Sequence, residues 1–336
     1  MLEIADTGPD GATEPGDAAG AMTTYPNFYL AGVPKAGTTA LYTYLLEHPN
    51  IFLPVPVGGS IKQKEPMYFA TDLREDQDFT DRDAYLGLYA DAGDEHLAIG
   101  DASVLYLYSE VALRNIKETV PDARIVVVLR NPIETVVSYH AEIYRAVTED
   151  VASFEQAWRL QEARRRGEAI PATCHSPARL QYRHVYDYPT QIERLWRVFP
   201  KEQTLVLLFD DLKADTARFY RQIQSFLGLP PHDLAAFEKV NENKQLRSRF
   251  LARLLLRPPP LLRRVAETLK STLGINYTAI AVRLTNMNLA PPGEREALSP
   301  DFLRELRDTF EPDIQELSRL LGRDLSAWTE RQAEMA

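Results

Sequence analysis

A buried strand that runs into a glycine-bounded turn and out into a helix leaves a chain few architectures, and residues 27–47 have that form. Asn27 to Ala31 is a short, mostly apolar run suited to a buried strand. Gly32, Val33, Pro34, Lys35, Ala36, Gly37, Thr38 and Thr39 follow as a loop. Thr39 to Glu47 reads as a helix with Leu41, Leu45 and Leu46 on one side, stopped by Pro49. The N–H groups at the start of such a helix have no intrahelical acceptor, so a strand, a glycine turn and a helix together form a nest for an anion.

The same alternation continues along the chain. After Arg124 the run to Leu129 is wholly apolar and mostly β-branched, as a central parallel strand should be. Asn131 and Pro132 open a helix to about Val147, and Ser153 to Arg166 reads as one further helix. Residues 51–64 read as a loop, Asp81 to Tyr89 as a helix, His96 to Ser103 as a short strand and Ser109 to Thr119 as a helix. Tyr188 to Phe199 reads as a helix, Thr204 to Phe209 as a second strong strand, and Asp210 and Asp211 as the lead into a helix ending at Phe226. Ser299 is an N-cap before Pro300 and Asp301, and that last helix ends near Gly322. Repeated strand–helix alternation predicts an α/β fold: a three-layer P-loop-type sandwich with a central parallel sheet flanked by helices. Residues 1–24, rich in Gly, Ala, Asp, Thr and Pro, are expected to form a disordered tail before one domain spanning 25–336. Arg247 to Leu256 reads as a basic, Leu-rich helix, and 274–298 as a long loop or lid.

A net charge of −10 argues against nucleic acid as a partner. No apolar run approaches the roughly 20 residues of a membrane span. The one cysteine, Cys174, rules out an intramolecular disulfide framework and points to a reducing cytoplasm.

Gly32 and Gly37 keep the G-x-x-x-x-G separation of a nucleoside-triphosphate loop, but Thr38 and Thr39 follow directly and the lysine lies inside the loop as Lys35. The pair that would hold Mg²⁺ and the β- and γ-phosphates is missing. Downstream, Arg130, Asn131 and Pro132 follow the strongest strand, and Ser138 lies eight residues on. An Arg at a strand's C-terminal end points into the crevice where α/β proteins bind ligands, and its fork suits phosphate.

The run from Pro34 to Leu41 resembles the 5′-phosphosulfate loop of sulfotransferases that use 3′-phosphoadenosine 5′-phosphosulfate (PAPS), in the form found in heparan sulfate-type and related bacterial enzymes. Arg130 and Ser138 resemble that family's 3′-phosphate motif, with Thr135 where a basic residue is usual. Further similarities run through Tyr188–Asp211 and Leu320–Trp328. The resemblance implies that Pro34, Lys35, Ala36, Gly37, Thr38, Thr39, Arg130 and Ser138 bind the donor. It implies release of 3′,5′-bisphosphoadenosine (PAP) without a metal, and a small-molecule or glycan acceptor. Glu65, before Tyr68 and Phe69, matches the family's catalytic base, a role that a partly desolvated carboxylate suits.

Lys35 is assigned to the leaving phosphate, and His140, with Glu142, to an accessory place at the mouth of the pocket. Asp101, Ala102 and Ser103 fall where some relatives carry a second catalytic lysine, and this chain has none there. Tyr182, Tyr186 and Tyr188 are candidates for adenine stacking or for the core. Arg247 and Arg249 are candidates to replace a missing C-terminal phosphate loop, and the basic helix after them offers a surface for an acidic acceptor or a carrier protein. Cys174 beside His175 superficially looks like half of a nucleophile pair. The competing readings are a P-loop kinase or NTPase and a non-catalytic nucleotide-binding protein.

Overall fold

The computed structural model describes residues 24–56, 63–75, 79–237, 245–246, 248, 284, 289–290 and 297–330. The chain order is β1 (Phe28–Gly32), α1 (Thr38–Leu46), β2 (Ile51–Phe52), α2 (Arg82–Leu86), β3 (Ala98–Asp101), α3 (Ala112–Thr119), β4 (Arg124–Leu129) and α4 (Pro132–Arg145). Then come α5 (Phe154–Arg159), α6 (Gln161–Arg165), α7 (Tyr182–Val185), α8 (Tyr188–Val198), β5 (Thr204–Leu208), α9 (Phe209–Ala214) and α10 (Thr216–Leu227). A two-residue antiparallel pair, β6 (Gln245–Leu246) with β7 (Leu289–Ala290), precedes α11 (Pro300–Leu321) and α12 (Ala327–Glu330).

The five strands β1–β5 form one sheet in the order β2-β3-β1-β4-β5, and every pairing is parallel. The expected α/β architecture with a parallel sheet is present. From β1 the chain moves outward through α1 to the β2 edge, then returns through β3 and crosses to β4. Right-handed crossovers in opposite directions put their helices on opposite faces. Accordingly α3 packs on α8, and α8 on α11, while Tyr44 of α1 and Tyr220 of α10 meet the same ring, Phe237. The reversal of strand order at β1 opens a crevice at the C-terminal ends of β1 and β4, the place where open α/β sheets bind ligands.

Local signals set most boundaries. Asn131 accepts from the N–H of Ile133 and Pro132 takes the first turn of α4. Ser299 caps α11 and Gly322, at φ 61°, closes it. Several boundaries depart from the sequence expectation, among them the helix start expected at Ser109, which falls at Ala112, and Phe209, which opens α9 instead of ending β5. Ile51 and Phe52 are a strand, paired with Ala98 and Ile99, rather than loop. The helix expected over 153–166 divides at Leu160, although that residue keeps helical dihedrals. Asp210 and Asp211 lie inside α9, and the chain breaks at Asp215, whose carboxylate caps α10 at the N–H of Arg218. The expected tail over 1–24 (but for Thr24), the basic helix over 247–256 (but for Ser248) and most of 274–298 lie outside the described residues.

Candidate donor and proton-transfer site

The loop after β1 turns inward because two residues take left-handed backbone, Lys35 at φ 65° and Gly37 at φ 79°. Gly37 also meets a steric demand. A Cβ there would lie 2.5 Å from the ring of Phe209, which packs beneath the loop. Gly37 is the N-cap of α1, and no side chain caps that helix. Its first N–H groups therefore have no side-chain acceptor of their own. Ala36 is fully buried and Thr38 nearly so, while Lys35 and Thr39 stand half-open at the crevice.

Three cations converge on this helix start. The ammonium of Lys35 donates to Glu142 Oε2 at 2.7 Å. Lys64 donates to Thr39 Oγ1 at 3.0 Å and to Glu65 Oε1 at 3.3 Å. Arg130 donates to the Lys35 carbonyl at 3.2 Å, pairs with Glu134 at 2.8 Å and stacks on Phe209 at 4.6 Å from the ring centre. Pro34 is fixed through its carbonyl by Tyr186, and the carbonyl of Arg130 by Tyr188. Those two tyrosines and Tyr182 are fully or almost fully buried, so they belong to the core rather than stacking on a base.

Glu134, Ser138 and Glu142 recur at four-residue intervals and so share one face of α4. That face looks onto Arg130 and Lys35. Ser138 donates to the carbonyl of Glu134 at 3.0 Å. Burial pushes the Glu142 carboxyl up, but the adjacent Lys35 outweighs it and holds the group below the ordinary carboxylate value. His140 is a correction. Expected at the pocket mouth, it lies two residues round the helix from both Ser138 and Glu142 and so faces away from them. It is 4% exposed, its Nε2 lies 2.9 Å from the Val151 carbonyl, and its ring packs among Tyr144, Phe154 and Tyr182.

Glu65 belongs to a segment held from behind by a buried network. Ser103 Oγ accepts from the N–H of Met67 at 3.0 Å, and Tyr106 Oη from Phe69 at 3.4 Å. Ser103, Tyr106 and Tyr85 in turn donate to Asp101 at 2.7, 2.8 and 2.9 Å. Tyr68 stacks on Tyr85, with ring centres 4.2 Å apart. Ala102, between these groups, is fully buried and supplies no charge. Desolvation raises the Asp101 carboxyl to about 6, against the hydrogen bonds that favour its anion.

A carboxyl raised on folding adds stability that is complete below its unfolded value of 3.8 and is lost as pH rises through 6. Wild type minus Asp101→Asn should therefore show unfolding free energy falling between pH 4 and 7, by on the order of 3 kcal/mol. Denaturant titrations at each pH check this, and a flat difference would remove the assignment.

Burial also pushes the Cys174 thiol up to about 11 and leaves it an inert core group rather than a nucleophile. Among the described residues, no three His, Cys, Asp or Glu side chains gather as a metal-binding set. No helix among them is long and apolar enough to cross a membrane.

The start of α1 thus gathers two lysines and an arginine, each beside a carboxylate. The family model described as a sulfotransferase domain matches residues 26–249, and the chain belongs to the sulfotransferase family. A sulfotransferase structure from Alicyclobacillus acidocaldarius superposes with a TM-score of 0.62 at 26% identity, over 91% of this chain and 99% of that one. The human bifunctional heparan sulfate N-deacetylase/N-sulfotransferase 3 is 28% identical over 210 residues, 62% of this chain and 23% of that protein. The mouse heparan sulfate glucosamine 3-O-sulfotransferase 6 is 28% identical over 205 residues, 61% of this chain and 53% of that protein. The chain thus matches between about a quarter and a half of the length of these curated relatives.

Proposed function

We propose that this chain, as one domain over 25–336, transfers the sulfuryl group of PAPS to a hydroxyl or amine of a glycan or other small acceptor. The observation that carries this reading is the meeting of Lys35, Lys64 and Arg130 at the uncapped start of α1. Pro34, Lys35, Ala36, Gly37, Thr38 and Thr39 fit a phosphosulfate through backbone N–H groups, two hydroxyls and an ammonium. Arg130 and Ser138 fit the 3′-phosphate. Glu65 takes the acceptor proton as the acceptor atom bonds to sulfur and the bond from sulfur to the bridging oxygen breaks. Lys35 donates to that bridging oxygen and stabilises the charge that develops on the leaving phosphate.

Each of the three cations pairs with a carboxylate: Lys35 with Glu142, Lys64 with Glu65, Arg130 with Glu134. An incoming polyanion competes with Glu142 and Glu134 for its partners, so a nucleotide bearing both phosphate groups should bind far better than one with fewer.

The acceptor class follows the relatives, whose names give an N-sulfotransferase of heparan sulfate and a 3-O-sulfotransferase of its glucosamine. Incubation with ³⁵S-labelled PAPS and a panel of N-deacetylated heparosan, glucosaminides and simple alcohols tests the function. Labelled product with stoichiometric PAP is the expected result. PAP that binds tightly while no acceptor is ever labelled would favour a nucleotide-binding regulator.

Arg130→Ala should weaken PAP binding by about tenfold to a hundredfold, the loss of a charge-assisted pair, and leave ADP binding within about twofold. Calorimetric titration with both nucleotides checks it, and equal losses for the two would remove Arg130 from the 3′-phosphate.

A further inference from the structure

We infer that Lys64 is a positioning residue for the transfer, tying the donor loop to the proton acceptor through one buried ammonium; this rests on the roles proposed above for Thr39 and Glu65. Lysine is among the side chains least often buried, because its charge must leave water. Here only 5% of the Lys64 side chain is exposed. Its Nζ donates to Thr39 Oγ1 at 3.0 Å and to Glu65 Oε1 at 3.3 Å, and lies 5.5 Å from the centre of the Tyr42 ring.

The two partners come from different elements. Thr39 is in the first turn of α1, 25 residues before Lys64, and Glu65 is its chain neighbour. The contact with Thr39 joins the start of α1 to the 64–69 segment. The same segment is held on its other sides by Ser103 and Tyr106, by the Asn115 amide on the Phe69 carbonyl at 2.9 Å and by the Phe79 N–H on the Pro66 carbonyl at 3.2 Å.

Two consequences follow from an ammonium in this place. It fixes the rotamer of the Thr39 hydroxyl by making its oxygen an acceptor, so the hydroxyl hydrogen is left to point at the donor. It also holds one oxygen of Glu65 and so fixes that carboxylate beside the start of α1. A substitution at Lys64 should therefore act through Thr39 on donor affinity and through Glu65 on turnover.

The test is a pair of double-mutant cycles on the full chain. PAP affinity is measured for Lys64→Met, Thr39→Val and the double variant. PAP release from PAPS in water, which needs no identified acceptor, is measured for Lys64→Met, Glu65→Gln and their double variant. Lys64→Met alone should weaken PAP about threefold to tenfold and slow release about tenfold to a hundredfold. In the Thr39→Val or Glu65→Gln background it should change the matching quantity by less than about twofold. Lys64→Gln, which keeps a donor without the charge, should fall between wild type and Lys64→Met, and decides the matter if Lys64→Met does not fold.

Losses that multiply independently in both cycles would overturn the inference, as would a Lys64→Gln protein indistinguishable from wild type. A wild-type protein that does not bind PAP, or a Glu65→Gln variant with normal release, would instead count against the donor or base assignment itself.

Discussion

Lys35→Ala is expected to lower kcat by about a hundredfold to a thousandfold while weakening PAP by no more than about tenfold. The asymmetry follows from where the charge develops. On the proposed placement of the donor, its negative charge before transfer is shared among the α1 N–H groups, Thr38, Thr39 and Arg130. As the bridging oxygen becomes a leaving group, added charge gathers beside one ammonium. Removing Lys35 also frees Glu142, whose carboxylate now rests on it at 2.7 Å, and leaves an unpaired anion facing the donor. Lys35→Ala with Glu142→Gln should therefore recover PAP affinity but not kcat. Steady-state kinetics with PAPS and calorimetry with PAP separate the two. Parallel losses in both would mean that Lys35 binds the donor without favouring its departure.

Glu65→Gln is expected to reduce kcat by about a hundredfold to ten thousandfold, with donor affinity within about threefold of wild type. Glutamine keeps the size of the side chain and can still accept from Lys64, but it cannot take a proton. The segment behind it should be undisturbed, because Met67 and Phe69 are held by Ser103 and Tyr106. Near-normal turnover would pass the role of base to Glu142. That carboxylate sits on Lys35, within reach of the same crevice, and is held in its charged form by the pair.

Which parts of this site the sequence discloses depends on how far apart in the chain the partners lie. Signals that act within a few residues were legible: the apolar run of β4, the Asn131–Pro132 and Ser299–Pro300 helix starts, the glycines of the donor loop. Each reports a backbone requirement met by its neighbours. Arg130 stood out because it ends the strongest strand. The pairings that give the crevice its charge do not show locally. Lys35 meets Glu142 across 107 residues, and nothing near Glu142 marks it beyond its four-residue spacing from Ser138. The same spacing rule was the available signal against His140, which cannot share a helix face with either.

Long-range hydrogen bonds account for other features that a linear reading misses. Asn131 caps α4 with one side of its amide and donates to the Trp328 carbonyl with the other, at 2.7 Å, and Trp328 donates to Asp210. The C-terminal segment thereby pins the turn that presents Arg130. Tyr186 and Tyr188 read equally well as stacking rings or core; their hydroxyls, spent on the carbonyls of Pro34 and Arg130, decide for the core. From sequence, Lys64 reads as no more than a salt-bridge partner for Glu65, because a charged residue in a polar stretch reads as solvated. Only the packing of α1 against the 64–69 segment shows it buried.

The central claim is that the loop and Arg130 together select a nucleotide with both a 3′-phosphate and a 5′-phosphate, without a metal. Calorimetric titration of the full chain with PAP and with ADP, each in the presence of EDTA and again with Mg²⁺, tests it most directly. The account predicts PAP binding at least about a hundredfold tighter than ADP, unchanged by Mg²⁺. ADP binding as tightly as PAP, or gaining its affinity only with Mg²⁺, would contradict it and point to a triphosphate enzyme instead.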